Sequence, residues 1–217
     1  YTTSPVHNER YWIKLAKDIE DIGASSLAIK DMAGLLRPRT CYELVKKLKK
    51  NLNIPIHLHT HSTTGLSDAT NFKAYEAGID NIDTSISSFS NLYSHTATES
   101  FISMMYSEEK NPFDMELLTK ISVYFNEVRK KYKKYEGSMR GVDVNMLINQ
   151  VPGGMLSILE KQLLDLNKAD KLKLLIDEIP KIRKDVGYVP LVTPSSQIVG
   201  AQALMNVLDD QRYKTLN

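Results

Sequence analysis

The densest group of chemically versatile residues is His57-Leu58-His59-Thr60-His61, which holds three of the five histidines. The apolar run beginning at Ile54 indicates a strand. Because side chains alternate between the two faces of a strand, the three imidazoles are predicted to project to one side. Neutral imidazoles grouped near a strand end can share a metal ion. The alternative is a polar strand-to-loop corner in which each ring bonds to the backbone.

Lys30 and Asp31 stand where the apolar run Leu27-Ala28-Ile29 meets the loop that follows it. In parallel α/β folds, functional residues collect at that rim. One interpretation of Lys30 is a surface or ion-paired group. If it is buried instead, its ammonium loses solvation, its pKa falls and the amine becomes nucleophilic. Such an amine could form a Schiff base, or take up carbon dioxide as a carbamate that gives a metal an anionic oxygen ligand.

Three later segments each admit a chemical and a structural interpretation. Thr193-Pro194-Ser195-Ser196 precedes a helical pattern and is typical of an N-cap with proline in the first turn. The basic run at 129–135 alternates cations with tyrosines, as in RNA binding, or forms the solvated end of a helix whose dipole favours cations. Pro152-Gly153-Gly154 is a turn into a helix, where a glycine pair can bind an anion.

The elements that must position these residues alternate between helix and strand in the first half of the chain. Helical repeats precede short apolar runs at 12–19 and 27–29, at 41–48 and 54–59, and at 69–77 and 81–86. This alternation predicts a parallel sheet covered by helices. After Pro112 only helical patterns follow, at 118–132, 154–166, 169–186 and 196–209. We therefore predict an α/β part at 1–110 and a helical part at 111–217.

Composition narrows the class of protein. The net charge of +2 provides no field that favours nucleic acid or an anionic membrane, so we expect neither as a partner. Cys41 is the single cysteine and cannot form an internal disulfide, and no run is typical of a secretory signal or a membrane span. We expect a globular, cytoplasmic protein. Because the chain opens on Tyr1 rather than Met, we also expect it to be part of a longer one.

Four blocks carry a resemblance to a known family. They are Ile29-Lys30-Asp31-Met32-Ala33-Gly34-Leu35-Leu36, Pro55-Ile56-His57-Leu58-His59-Thr60-His61, Pro152-Gly153-Gly154 and Val192-Thr193-Pro194-Ser195-Ser196. Their order and spacing resemble the carboxyltransferase subunits of oxaloacetate decarboxylase, transcarboxylase and pyruvate carboxylase. The segments at 62–65 and 94–100 look like the oxaloacetate decarboxylase and transcarboxylase branch, since single-chain pyruvate carboxylases typically have Asp where Ser62 stands.

The resemblance implies a fold and a reaction. The fold is a (β/α)₈ TIM barrel, of which this chain holds the last αβ units, followed by an all-helical extension that covers the barrel mouth. The reaction is biotin-dependent carboxyl transfer between carboxybiotin and pyruvate or oxaloacetate, as oxaloacetate decarboxylation or pyruvate carboxylation. It takes place at a divalent metal, and Zn²⁺, Mn²⁺ or Co²⁺ would suit imidazole and oxygen ligands.

By the same resemblance, Lys30 is a carbamylated lysine that binds the metal with His59 and His61, whereas His57 is structural. The family also uses an Asp ligand and a substrate-binding Arg that are expected upstream of Tyr1. We therefore expect the 217 residues alone to be inactive.

Three residues near the C-terminus complete the implied site. Thr193 looks like the threonine that shuttles a proton, and Ser196 and Gln197 match positions that line the biotin pocket, although some relatives have lysine where Gln197 stands. The implied partners are a biotin carboxyl carrier domain, pyruvate or oxaloacetate, and a biotin carboxylase or membrane decarboxylase subunit, in a homo-oligomer.

Two other functions remain open at this point. Isopropylmalate synthase-like barrels catalyse metal-dependent aldol or acyl-transfer chemistry and also place a histidine pair at a strand end, but they lack the Lys-Asp-Met-Ala-Gly block. A non-catalytic assembly domain is the alternative from another class, with the helical part docking onto neighbouring subunits.

Overall fold

The computed structural model describes residues 1–137, 139–209 and 211–217. The strands are β1 (Leu27–Asp31), β2 (Ile56–Thr60) and β3 (Asn81–Ile82). The α-helices are α1 (Glu9–Asp21), α2 (Pro38–Asn51), α3 (Ser67–Glu76), α4 (Thr98–Met105), α5 (Met115–Lys131), α6 (Met146–Asn149), α7 (Gly153–Asp165), α8 (Leu172–Asp185) and α9 (Ser195–Leu208). Short 3₁₀ turns occupy Ser87–Phe89, Glu108–Lys110, Lys133–Tyr135 and Ala169–Lys171.

The three strands form a parallel sheet in the order β1-β2-β3. Alternate residues of β1 and β2 are buried against the helices, among them Ile29, Ile56 and Leu58. The residues between them face the other side of the sheet, where the register pairs Lys30 with His59. The predicted α/β class is therefore confirmed, and this register brings two predicted site residues side by side.

Local signals explain why the helices begin and end where they do. The Asn8 side chain caps α1 by accepting from the Tyr11 amide at 3.0 Å, and Gly23 follows the helix with a φ of +93°. Pro38 opens α2, where its missing amide hydrogen costs no helical bond. Leu36, Val45, Ile56 and Leu58 are fully enclosed in the first hydrophobic core, between these helices and the sheet.

A second hydrophobic core lies among α7, α8 and α9. Leu163, Leu175 and Ile179 are fully buried there. Helix α5 packs elsewhere, since Phe125 meets Phe89 with ring centroids 5.9 Å apart and Arg129 donates to the Ser88 carbonyl at 2.8 Å. The first helix after Pro112 therefore contacts the αβ units rather than the second core. The division at residue 110 stays a prediction.

Several expectations need correction. The predicted strand at 81–86 is too long, because the chain leaves the sheet after Ile82 and pairs through Ser85 with the segment of Ala97, the Ser85 amide donating to the Thr96 carbonyl at 3.0 Å. Helices α4 and α6 were not predicted. The pattern at 169–186 divides into a 3₁₀ turn and α8. The basic run is the last turn of α5 and the 3₁₀ turn beyond it, which agrees with the helix-end interpretation.

Helix length and polarity together decide whether a helix can insert into a membrane. Among the helices of the described residues, none combines the length and apolar character needed to cross a bilayer.

Candidate metal centre

Three histidines converge beyond the carboxyl end of β2. His59 belongs to that strand, His61 follows it, and His95 comes from the loop before α4. One ring nitrogen from each lies within 4.8 Å of the others. The ring centroids of His95 lie 4.3 Å from His59 and 4.5 Å from His61. Alternation along the strand identified the first two, but His95 was missed as a site residue.

Each of these rings is held through its Nδ1 atom. A carbonyl or carboxylate oxygen can only accept, so each neutral ring carries its proton on Nδ1 and keeps the lone pair on Nε2. The acceptors are Asp83 Oδ2 for His59 at 2.8 Å, the Tyr93 carbonyl for His61 at 2.6 Å and the Thr60 carbonyl for His95 at 2.8 Å. Such hydrogen bonds fix ring orientation in known metal sites.

The donor set fits a divalent metal. The Nε2 atom of His61 is buried and has no hydrogen-bond partner in the part of the chain that the structure describes. Leaving a buried acceptor unpaired costs about 1–3 kcal/mol, and a metal ion would remove that cost. His59 and His61 would hold it, as the sequence predicts.

Burial favours the neutral form of His61 and His95. It lowers the pKa of His61 to about 4, against the opposing hydrogen bond to the Tyr93 carbonyl. Positive charge on His95, His59 and Lys30 lowers the His61 pKa further. Burial also lowers the pKa of His95, while the Thr60 carbonyl opposes the shift. Neutral imidazole is the form that binds metal.

Lys30 lies next to the histidines but is exposed. It stands opposite His59 in the β1-β2 register, and its charge acts on His61. Burial would make its amine nucleophilic, but Lys30 is open to solvent. The structure thus brings Lys30, His59 and His61 to one end of the sheet.

Asp31 positions the loops around the site. It is fully buried, and its carboxylate accepts from the Leu35 and Leu36 amides and from Thr60 Oγ1, each at 2.9 Å. Burial raises the pKa of the Asp31 carboxyl, and these three donors oppose the shift. Asp31 therefore ties the loop after β1 to the end of β2, and the Thr60 carbonyl in turn holds His95.

Gly34 allows the loops after β1 and β2 to touch. Its φ is +65°, and a Cβ atom here would lie 2.6 Å from the His61 carbonyl oxygen and 3.0 Å from Thr64 Oγ1. Both the conformation and the space require glycine. This contact explains why the Lys-Asp-Met-Ala-Gly block ends in glycine.

Buried hydroxyls join the segments at 62–65 and 94–100, which resemble the oxaloacetate decarboxylase and transcarboxylase branch of the family. The Ser62 amide donates to the Ser94 carbonyl at 2.8 Å, and the Ser62 and Ser67 hydroxyls are 2.6 Å apart. Thr96 Oγ1 donates to Asp68 Oδ1 at 2.8 Å. This network holds the loop that carries His95 against the loop that carries His61.

Gly153 leaves room for the Tyr93 ring at the start of α7, where the sequence also allowed an anion to bind. A Cβ atom on Gly153 would lie 2.5 Å from Tyr93 Cδ1, so the tyrosine ring covers the start of α7. On the other side, a Cβ on Gly137 would lie 2.6 Å from the Tyr93 hydroxyl. The Tyr93 carbonyl orients His61. The Pro-Gly-Gly turn therefore supports the histidine cluster from the helical side.

Thr193, Ser196 and Gln197 lie at the start of α9. Thr193 and Gln197 are exposed, and Ser196 is half-buried. The N-cap interpretation is wrong, because Pro194 occupies that position without a side-chain cap. The Ser195 hydroxyl instead donates backwards, to the Val192 carbonyl at 2.7 Å.

These three residues are joined to the histidines only indirectly within the described ranges. A Cβ atom on Gly200 of α9 would lie 3.0 Å from Met155 and 3.6 Å from Leu159 of α7. The N-terminal halves of α9 and α7 are therefore side by side, and α7 begins at the glycine that supports Tyr93. No hydrogen bond of the described residues links Thr193 to the cluster directly.

Comparison with known families assigns both halves of the chain. Residues 6–125 match the family described as HMGL-like, and residues 146–217 match a conserved carboxylase domain. The chain therefore belongs to the HMGL-like family and carries the conserved carboxylase domain after it.

Individual relatives extend this assignment. The chain is 47% identical to a pyruvate carboxylase subunit of Methanocaldococcus jannaschii, over 100% of the chain and 38% of the relative. It is 45% identical to the methylmalonyl-CoA carboxyltransferase 5S subunit of Propionibacterium freudenreichii subsp. shermanii, over 96% of the chain and 42% of the relative. It thus spans less than half the length of either, and both are proteins of carboxyl transfer or carboxylation.

Comparison with a solved structure leads to the same family. The carboxyl transferase domain from Rhizobium etli pyruvate carboxylase with pyruvate and biocytin is 32% identical, with a TM-score of 0.92. The match covers 98% of this chain and 37% of that one. The α/β fold with its small parallel sheet therefore matches a carboxyltransferase domain.

Proposed function

We propose that this chain is part of a biotin-dependent carboxyltransferase that moves a carboxyl group between carboxybiotin and pyruvate or oxaloacetate. The observation that carries the proposal is the likeness, over nearly the whole chain, to a carboxyl transferase domain solved with pyruvate and biocytin. The three-stranded parallel sheet, with helices on one face and site residues at its carboxyl end, would be the last αβ units of a (β/α)₈ barrel. The helices from α5 onward would cover its mouth.

A divalent metal would be held by His59, His61 and a carbamate on Lys30. The tethered rings and the unpaired Nε2 of His61 support this part of the proposal. A bound Zn²⁺, Mn²⁺ or Co²⁺ would supply Lewis-acid stabilisation for negative charge that develops on the substrate oxygen. The Nδ1 hydrogen bonds hold the neutral rings in the tautomer and orientation that binding needs.

Thr193 would move a proton between biotin and the substrate. When the ureido nitrogen of biotin gives up its carboxyl group to pyruvate, it must gain the proton that the pyruvate methyl carbon loses. A hydroxyl suits this exchange, because it donates and accepts from one position. The exposure of Thr193 supports the assignment, since the side chain is open to an incoming group. Ser196 and Gln197, in the first turn of the same helix, would line the biotin pocket.

The partners follow from this reaction. They are a biotin carboxyl carrier domain and a biotin carboxylase or membrane decarboxylase subunit, in a homo-oligomer. We also propose that the 217 residues alone do not catalyse transfer, because they span only 38% of the Methanocaldococcus jannaschii relative. A cytoplasmic location agrees with the single, buried Cys41.

Replacement of Thr193 in the complete enzyme tests the mechanism. Thr193→Ala should lower carboxyl exchange between the biotin carrier and isotope-labelled pyruvate by about 10²- to 10⁴-fold, the range for a lost proton-transfer group. Metal content should not change. Thr119→Ala is the matched control, because among the described residues the Thr119 hydroxyl donates to the Met115 carbonyl within α5 and to no other group. Normal exchange in Thr193→Ala would remove Thr193 from the reaction.

A further inference from the structure

His95 stands in the histidine cluster although the family resemblance gives it no role. Its ring packs against both other rings, with centroids 4.3 Å from His59 and 4.5 Å from His61. Its Nδ1 donates to the Thr60 carbonyl, so its Nε2 carries a lone pair. His95 therefore has the same protonation pattern as the two predicted ligands.

The position of the His61 ring is unfavourable without a cation. All three Nδ1 atoms are engaged by oxygen acceptors, so the three nitrogens that remain are acceptors grouped in one place. Of these, the Nε2 atom of His61 is buried and has no hydrogen-bond partner among the described residues, so it loses the hydrogen bond it would make in water. A tether to Thr60 alone would not require the second nitrogen of His95 to join this group.

The loops around His95 hold it in place. Thr60, its hydrogen-bond partner, is buried and donates its hydroxyl to Asp31 at 2.9 Å. Beyond His95, Thr96 is fully buried, accepts from Asn71 at 2.9 Å and donates to Asp68. The ring is thus fixed from both sides by buried groups, as metal ligands commonly are.

We propose that His95 is a third imidazole ligand of the metal that His59 and His61 bind. The inference rests on the proposed function, since it concerns the same metal site. It also narrows the choice of metal: three neutral imidazoles favour Zn²⁺ or Co²⁺, whereas Mn²⁺ prefers oxygen ligands.

Asparagine at this position separates ligation from tethering. In His95→Asn, the amide nitrogen takes the place of Nδ1 and still donates to the Thr60 carbonyl, but nothing replaces Nε2. His57→Asn is the matched control, because His57 lies on the same face of β2, contacts Asn81 at 3.4 Å and stands outside the cluster. The metal-free complete protein is titrated with Co²⁺ and followed by its visible absorption.

We expect wild type and His57→Asn to bind Co²⁺ with equal affinity and the same spectrum. His95→Asn should bind at least about tenfold more weakly, with changed absorption bands, because a nitrogen ligand is missing. Equal affinity and an unchanged spectrum in His95→Asn would overturn the inference and leave the metal site standing. Failure of the wild-type protein to bind Co²⁺ would overturn the proposed metal site, and this inference with it.

A measurement on the wild type guards against misfolding of the variant. In the ¹H NMR spectrum of the Co²⁺ protein, each bound imidazole gives a strongly shifted, exchangeable Nδ1 proton. Three such signals are expected. Two would show that only two imidazoles bind and would contradict the role of His95 directly.

Discussion

Buried polar side chains serve different purposes around the two hydrophobic cores. Near the sheet, the buried hydroxyl and amide groups of Thr60, Ser62 and Thr96 join the loops that carry the histidines. Among α7, α8 and α9, the buried Glu178 instead gathers donors from α9 and from the chain that follows it. The first set orients rings that would bind a metal, whereas the second anchors helices. Buried polar groups would therefore support metal binding in one region and stability in the other.

The two regions meet through a few specific contacts. Tyr93 sits on Gly153, and the Asp143 amide donates to the Thr63 carbonyl at 2.8 Å. On the far side, the buried Arg183 donates to Thr2 Oγ1 at 2.7 Å. Among the described residues, the helical region thus touches the loops of the site, and the histidine cluster itself comes from β2 and the loops beyond it.

Replacement of Lys30 in β1 tests whether metal binding depends on the region around the sheet. Lys30→Arg keeps a cation on an exposed position but cannot form a carbamate, so metal affinity of the complete enzyme should fall by about 10- to 100-fold. The carbamate itself is observed by ¹³C NMR after incubation with labelled bicarbonate, and its signal should be absent from the variant. A wild-type protein without that signal would favour the metal-dependent aldolase alternative.

Replacement of Gly153 tests the contact between the regions. Gly153→Ala would place a Cβ atom 2.5 Å from the Tyr93 ring, so the ring must shift. Overpacking of this kind costs about 1–3 kcal/mol. We expect that loss in urea denaturation, with weaker Co²⁺ binding because the Tyr93 carbonyl orients His61. Gly154→Ala is the control, since no atom lies within 4 Å of its added Cβ. Equal stability and equal Co²⁺ affinity of the two variants would mean that the position of the Tyr93 ring does not affect the site.

Replacement of Glu178 tests whether the helical polar group serves stability alone. Burial by itself would raise the Glu178 pKa, but donors from Arg212, Asn206 and Lys181 outweigh it and the pKa lies below the ordinary value. The ionised carboxylate therefore contributes stability above the ordinary glutamate pKa, and this contribution is lost as the pH falls through the folded-state pKa. Glu178→Gln should cost about 1–3 kcal/mol at pH 7 and progressively less in acid, with metal binding unchanged.

The control for this experiment is Glu127→Gln, because the Glu127 side chain is 67% exposed and, among the described residues, pairs with Lys130 alone. Such a pair contributes little to stability. Urea denaturation at pH 7 and at acidic pH measures both variants. A Glu178→Gln protein with the same pH dependence as wild type would contradict the assignment of stability to this carboxylate.

Local regularities predicted much of the site. Alternation along a strand put His59 and His61 on one face, and the strand-to-loop rule identified Lys30. His95 lies in a distant loop, and only the fold brings it to the others. Pairing between Ser85 and Ala97 likewise depends on tertiary structure, which is why the third strand was predicted too long. The predicted side-chain cap of α9 was wrong because the Ser195 hydroxyl donates to the carbonyls of Pro190 and Val192 instead.

Tyr93 contacts both regions of the molecule. Its carbonyl orients His61, its ring covers Gly153, and its hydroxyl accepts from the Met139 amide at 3.1 Å. If a bound ion favours the seated position of Tyr93, reciprocity requires that docking of α7 favours ion binding by the same factor. Ion binding at the histidines and packing of α7 against Tyr93 would then reinforce each other, so a substitution that loosens this packing would also weaken ion binding.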